Sequence, residues 1–193
     1  MRLTQTGVHL AAGLGAVVVG VTPWAWGQPL ISASGRVLPW VNSVWSAENS
    51  QQIADWYTVQ HVLHGMLVAL IWQLAPGRVS RRGALALAIL SGVAWEIVEH
   101  TDWVLDRFRA TTIYRGYLGD SVLNAVCDYL FMLAGFALAS RLGVRASLAV
   151  MLACELGSAV IARDSLILTT IRVVHPIPAV TDWQDERNPD AGR

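Results

Sequence analysis

The chain has 193 residues, 54% of them hydrophobic and only 15% charged, where an ordinary soluble domain carries about 25% charged residues. Fourteen basic residues, all arginine, balance fourteen acidic ones to a formal net charge of +0. Together with a mean hydropathy of +0.44, this excludes a disordered chain and a basic nucleic-acid binder. Cys127 and Cys154 both lie in apolar runs, which argues against a disulfide scaffold. The composition predicts one integral membrane domain over residues 1–187 and a disordered tail at 188–193.

Five apolar segments approach the ~20 residues needed to cross ~30 Å of hydrocarbon. They lie at about 7–26, 57–75, 84–104, 120–140 and 146–163, which predicts an all-α polytopic bundle of about five transmembrane helices. The first ends in Trp24 and Trp26 and reads as a retained interfacial anchor rather than a signal peptide. The connection at 27–56 is too long for a simple turn. Within it, Pro39 to Trp45 are expected to form a short interfacial helix, and Glu48, Asn49, Gln51, Gln52 and Asp55 a polar surface. Arg78, Arg81 and Arg82 follow the second segment, and Arg141 and Arg145 the fourth. With Arg2, they place the N-terminus inside and the C-terminal tail outside. The 105–119 loop then lies outside and carries Arg107, Arg109 and Arg115.

Several polar residues fall inside these segments: His61 and His64 in the second, Glu96, Glu99 and His100 in the third. Asp120, Asn124 and Asp128 lie in the fourth, and Glu155 in the fifth. A charged side chain at the bilayer centre costs about 2.5–3.5 kcal/mol on the mildest scale, so these groups should face one another or water. At ~1.5 Å per residue, His61, His64, Glu99, Glu96, Asn124 and Asp128 all lie roughly 6–12 Å from the outer ends of their helices. His61/His64 and Glu96/Glu99 are three apart and share helix faces; Asp120, Asn124 and Asp128 form an i,i+4 stripe. Convergence of these groups in one pocket near the outer surface is therefore expected.

Imidazole with carboxylate suits Zn, Mn or Fe. The metal-ligand candidates are His61, His64, Glu96, Glu99 and Asp120; Glu96, Glu99 and Asp128 are candidates for acid/base catalysis, and Arg115 and Asn124 for substrate binding. The plain structural alternative is interhelical cross-linking by buried polar groups, with Asp120 an ordinary helix N-cap. His100 is offset from the Glu99 face by about 100° and pairs either with this cluster or with Asp102 or Asp106. Glu155 has no charged neighbour on its own helix, which favours a protonated, hydrogen-bonded state.

Asp55-Trp56-Tyr57-Thr58, His61-x-x-His64-Gly65, Trp95-Glu96-x-x-Glu99 and Gly119-Asp120-Ser121-x-x-Asn124-x-x-x-Asp128 occur in this order, followed by Arg163-Asp164-Ser165-Leu166, His175-Pro176-Ile177 and Trp183-Gln184. Over about residues 50–185 the chain resembles an uncharacterised family of alphaproteobacterial multi-pass inner-membrane proteins, domain of unknown function 2585. The resemblance implies a location in the bacterial inner membrane and no particular activity. A weaker likeness is to VanZ-like membrane domains, which also combine an intramembrane His, a Glu and an Asp-x-x-x-Asn. This chain departs from the uncharacterised family at Asp164 to Thr169, where proteins of that family tend to read Asp-Asn-Leu-Thr-Leu-Asn.

The residues lead to an enzyme, assisted by a divalent metal or by acid/base groups, acting on a lipid or lipid-linked envelope precursor. The bilayer is its partner and nucleic acid is not. A transporter or ion-binding protein, and an accessory subunit of a membrane complex, are the non-enzymatic alternatives.

Overall fold

The computed structural model describes residues 4–75, 77–111 and 117–188, and among them there is no strand. Eight helices follow one another: α1 (Gln5–Ala25), α2 (Trp56–Leu74), α3 (Arg81–Glu99), α4 (Asp102–Thr111), α5 (Val122–Ala139), α6 (Val144–Ala162), α7 (Leu166–Val174) and α8 (Pro178–Asp185). Local chemistry starts most of them. Thr4, Asp55, Ser80, Ser121 and Ser165 each sit in extended backbone and accept from an N–H of the first helical turn. Asp55 and Thr58 complete a reciprocal capping box on α2.

α1, α5 and α6 are each long and apolar enough to cross a membrane; α3 and α4 meet the same measure as a pair bent by 69°, giving three such helices or up to four. The expected set of about five included α2, whose hydropathy is lowered by Tyr57, Thr58, Gln60, His61, His64 and Gln73. α2 packs against α3, α5 and α6. The third expected segment ran on to residue 104. In the structure α3 stops at Glu99, where the His100 Nδ1 bonds back to the Glu96 carbonyl at 2.7 Å and the Thr101 hydroxyl donates to the Val98 carbonyl at 2.6 Å.

The long connection between α1 and α2 holds no helix at Pro39 to Trp45. It doubles back on itself, with Val41 N–H donating to the Ala54 carbonyl at 2.9 Å and Ile53 N–H to Leu38 at 3.2 Å. Its carbonyls at Ser50, Pro29 and Leu30 accept from the N–H groups of Ser121, Val122 and Leu123 at 3.0, 2.9 and 3.1 Å. Donors that a helix start leaves without partners are thereby satisfied.

α7 and α8 had no counterpart in the hydropathy pattern. They dock through polar contacts centred on buried Asp164, which accepts from the Tyr57 hydroxyl, the Thr169 hydroxyl and the Gln184 amide at 3.0, 3.0 and 3.2 Å. Glu155, expected to be hydrogen-bonded, accepts from the N–H groups of Leu166 and Ile167 at the start of α7.

The apolar core joins Leu63, Met66 and Ala69 of α2 to Ala84 and Ala88 of α3 and to Tyr129, Met132 and Phe136 of α5. Two glycines set its tightest contact. A Cβ at Gly65 would fall on the Met132 carbonyl oxygen, and one at Gly135 on the Val62 carbonyl oxygen. A methyl group there must push two backbones apart, an overpacking cost of about 1–3 kcal/mol. We therefore expect Gly65→Ala and Gly135→Ala each to lower the thermal midpoint in detergent by several degrees. Gly157→Ala, where an added Cβ meets nothing within 4 Å, should leave it unchanged or raise it through helix propensity. Equal effects at all three positions would contradict this packing.

Candidate functional site

His61 occupies the second turn of α2, one turn before Gly65. The close approach of α2 to α5 and the antiparallel α3 place its ring between two carboxylates. Nδ1 is 3.3 Å from Glu96 Oε1 and Nε2 is 3.7 Å from Asp128 Oδ2. All three side chains are buried. Asp128 is steadied by the Thr58 hydroxyl, which donates to it at 2.6 Å. Glu96 has no such support: it is 1% exposed, and neither of its carboxylate oxygens has an aligned hydrogen-bond donor.

A second pair lies beside this one. His100, at the end of α3, directs Nε2 toward Asp120 Oδ2 at 3.9 Å, while the Tyr117 hydroxyl donates to Asp120 Oδ1 at 2.7 Å. Ligand atoms of Glu96, His100 and Asp120 lie within 4.8 Å of one another. One oxygen of Glu99 is likewise buried without a partner.

These groups adjoin a cavity of about 430 Å³. His61, His64, Glu99, Asp120 and Asp128 contribute to its polar end, and Leu67, Trp95, Val98, Trp103, Phe108 and Val174 to its apolar walls. Several wall residues, Leu67, Trp95, Val98, Trp103 and Val174 among them, are exposed. The chamber is thus polar inside and apolar at its edges.

The structure brings His61, Glu96, Glu99, Asp120 and Asp128 together, with half-buried His64 on the cavity wall. Asn124 is buried next to them but is turned to the loop, its amide donating to the Gln52 carbonyl at 2.8 Å. Arg115 lies outside the described residues. Arg107 donates to the Val173 carbonyl, which ties α4 to α7, and Arg109 donates to the Tyr117 carbonyl and to Asp106. His100 belongs with the cluster and not with Asp102 or Asp106. Tyr117, Thr58 and Asp55 were not singled out for the site from sequence. Only Asp55 carried a signal, as the acidic residue three before a threonine that marks a helix start.

Asp55 closes the cluster from the loop side, accepting from the backbone N–H groups of Ser50, Tyr57 and Thr58 at 2.6, 2.8 and 3.3 Å. Burial pushes its carboxyl up to about 6, against the opposing pull of the Ser50 and Tyr57 N–H groups. Burial likewise pushes Asp164 up to about 6, opposed by the Ser165 N–H and the Tyr57 hydroxyl.

A family profile described as "Protein of unknown function (DUF2585)" matches residues 24–186. Among curated relatives, a UPF0314 protein of Paracoccus denitrificans is 45% identical over 159 residues, covering 82% of each chain. One from Sphingopyxis alaskensis is 40% identical over 94% of this chain and 96% of its own length. One from Novosphingobium aromaticivorans is 41% identical over 94% of both. No solved structure matches.

The two raised aspartates give stability a pH dependence of definite sign. Their folded values exceed the ordinary ~3.9, so the folded chain retains protons that the unfolded chain has released. Their contribution to stability is full below about pH 4 and is lost as pH rises through about 6. The thermal midpoint in detergent should fall from about pH 5 to about pH 7, and Asp164→Asn should flatten part of that fall. A midpoint that climbs across this window would contradict the assignment.

Proposed function

The chain belongs to the DUF2585 family, whose description gives no activity, and from its residues we propose a bacterial inner-membrane enzyme acting on a lipid or lipid-linked envelope precursor. The supporting observation is the cavity itself, which combines exposed apolar wall residues with His61, His64, Glu99, Asp120 and Asp128. Such a chamber fits an amphiphile: acyl or isoprenoid chain along the walls, polar head against the ionisable groups. In this reading the protein is multi-pass, with its N-terminus inside and the cavity in the outer leaflet, as the arginine distribution suggests.

His61 held between Glu96 and Asp128 is suited to carrying a proton in either direction, the neighbouring carboxylates orienting the ring and balancing an imidazolium. Glu99 faces the cavity and can exchange a proton with a bound headgroup. Asp120 provides either a metal ligand or an orienting carboxylate, Asn124 an amide oxygen without a partner, and Arg115 a guanidinium suited to a phosphate.

A transport path needs polar groups along the whole bundle, and here they gather at one end. At the other, Gln73 donates to the Ala139 and Leu142 carbonyls, and the interior consists of Ala69, Ala84, Ala88, Phe136 and Ala139. That distribution favours an enzyme over a conduit.

The test is genetic and chemical together. In cells lacking the wild-type copy, His61→Ala, Glu99→Gln and Asp128→Asn should each reproduce the lipid profile of the deletion, since losing a general acid or base costs about 10²–10⁴ in rate. Purified protein in liposomes should show no ion leak. Variants that are well expressed and yet leave envelope lipids identical to wild type would sink the enzyme reading.

A further inference from the structure

The hydrogen-bonding of His100 constrains its proton. Its Nδ1 lies 2.7 Å from the Glu96 backbone carbonyl, and a carbonyl oxygen only accepts, so Nδ1 carries the hydrogen. In the neutral ring this leaves Nε2 as a bare lone pair. That lone pair is buried without a hydrogen-bond partner and faces an Asp120 oxygen at 3.9 Å. Both oxygens of buried Glu96 are also without a hydrogen-bond donor. Three electron-rich atoms thus converge within 4.8 Å.

We propose that Glu96, His100 and Asp120 form a binding site for one divalent transition-metal ion behind the polar end of the cavity. The proposal rests on the reading that this cluster is the working site, and adds the ligand set. A proton on Nε2 answers the geometry poorly, since 3.9 Å is too long for a hydrogen bond and Glu96 would still lack a donor. A metal answers all three atoms together. One imidazole and two carboxylates suit zinc, manganese or ferrous iron. Three protein ligands leave a coordination position for water or substrate, the pattern of catalytic rather than closed structural sites. The outer contacts are those that metal sites use: a backbone carbonyl fixes the His100 tautomer, and the Tyr117 hydroxyl orients Asp120. Asp120 also lines the cavity, so the ion's open side would face the chamber.

The ligand set differs from the one expected from sequence alone. His100 takes the imidazole position, whereas His61 lies between Glu96 and Asp128 and His64 stands on the cavity wall. That difference makes a discriminating experiment. The full-length protein in detergent is stripped with a chelator and titrated separately with Zn²⁺ and Co²⁺, following stoichiometry by elemental analysis and coordination by the Co²⁺ visible bands. About one equivalent should bind, as three ligands close one site. His100→Ala and Glu96→Gln should weaken binding at least ~100-fold, beyond the 10–100-fold typical of outer-shell changes, and alter the cobalt spectrum. His64→Ala should bind as wild type.

If His100→Ala does not fold, Asp120→Asn carries the same expectation. Wild-type protein that takes up neither metal overturns the proposal, as does equal loss in His64→Ala and His100→Ala. Lipid turnover by wild-type protein that takes up neither metal would overturn the metal site and leave the enzyme reading intact. One tightly bound metal with unchanged lipids would support the site and count against the enzyme.

Discussion

Backbone contact between α2 and α5 at Gly65 and Gly135 leaves no room for a single methyl group, and the chemistry of this chain depends on that contact. The two helices run parallel there: Thr58 and His61 meet Asp128, Gly65 meets Met132, and Gln73 meets Ala139. At that separation an imidazole on α2 spans the gap to a carboxylate on α5 without an intervening layer of side chains. α3 then enters antiparallel, with Gly92 pressed against Met132 and Tyr129, and delivers Glu96 to the other edge of the same ring. Small residues let helices approach in a membrane, where apolar burial supplies little preference between helix and lipid. Here the approach also sets the distances within the polar cluster.

The acidic groups of the cluster differ sharply in how well the protein itself satisfies them. Asp55 has three backbone N–H donors, Asp128 has the Thr58 hydroxyl, Asp120 has the Tyr117 hydroxyl, and Glu96 has no hydrogen-bond donor. Satisfaction thus declines from the loop toward α3. Leaving a buried polar atom unpaired costs about 1–3 kcal/mol, and more when it is charged. A set of carboxyl groups so arranged is stable only if protons or a cation complete it. The unfilled demand is concentrated at Glu96 and His100, one turn apart on the same helix end.

The long helices were legible because hydropathy reports where apolar residues run, and the level of the cluster was legible because helical rise converts sequence position into depth. Rotation about each axis was not. His61 and His64 share a face by spacing, yet His61 is buried between two carboxylates and His64 is only half-buried on the cavity wall. Nor could sequence give the break after Glu99, since the carbonyl contacts of His100 and Thr101 depend on a chain direction that hydropathy leaves open. α7 and α8 escaped notice for a related reason. They are short, and they are held by polar contacts such as those of one aspartate with residues from three elements, which have no periodic signature.

The cavity therefore has two kinds of support. Its polar end is fixed by backbone contact of α2 with α5 and by α3 packed against the Met132 and Tyr129 side chains. Its far wall includes Leu166, Thr169, Thr170, Val173 and Val174 of α7, held by the bonds of Asp164 to Tyr57, Thr169 and Gln184 and by that of Arg107 to the Val173 carbonyl. Polar latches on short helices belong to the part of a structure that opens at lower free energy than its packed core. Because Thr169 and Gln184 bond to the same oxygen of Asp164 while Tyr57 bonds to the other, loss of that carboxyl removes one bond to α7 and one to α8 together. The wall can thus yield while the ionisable groups keep their distances. On the proposed reading of an enzyme that takes an amphiphile, this division places compliance at the wall and rigidity at the ionisable groups.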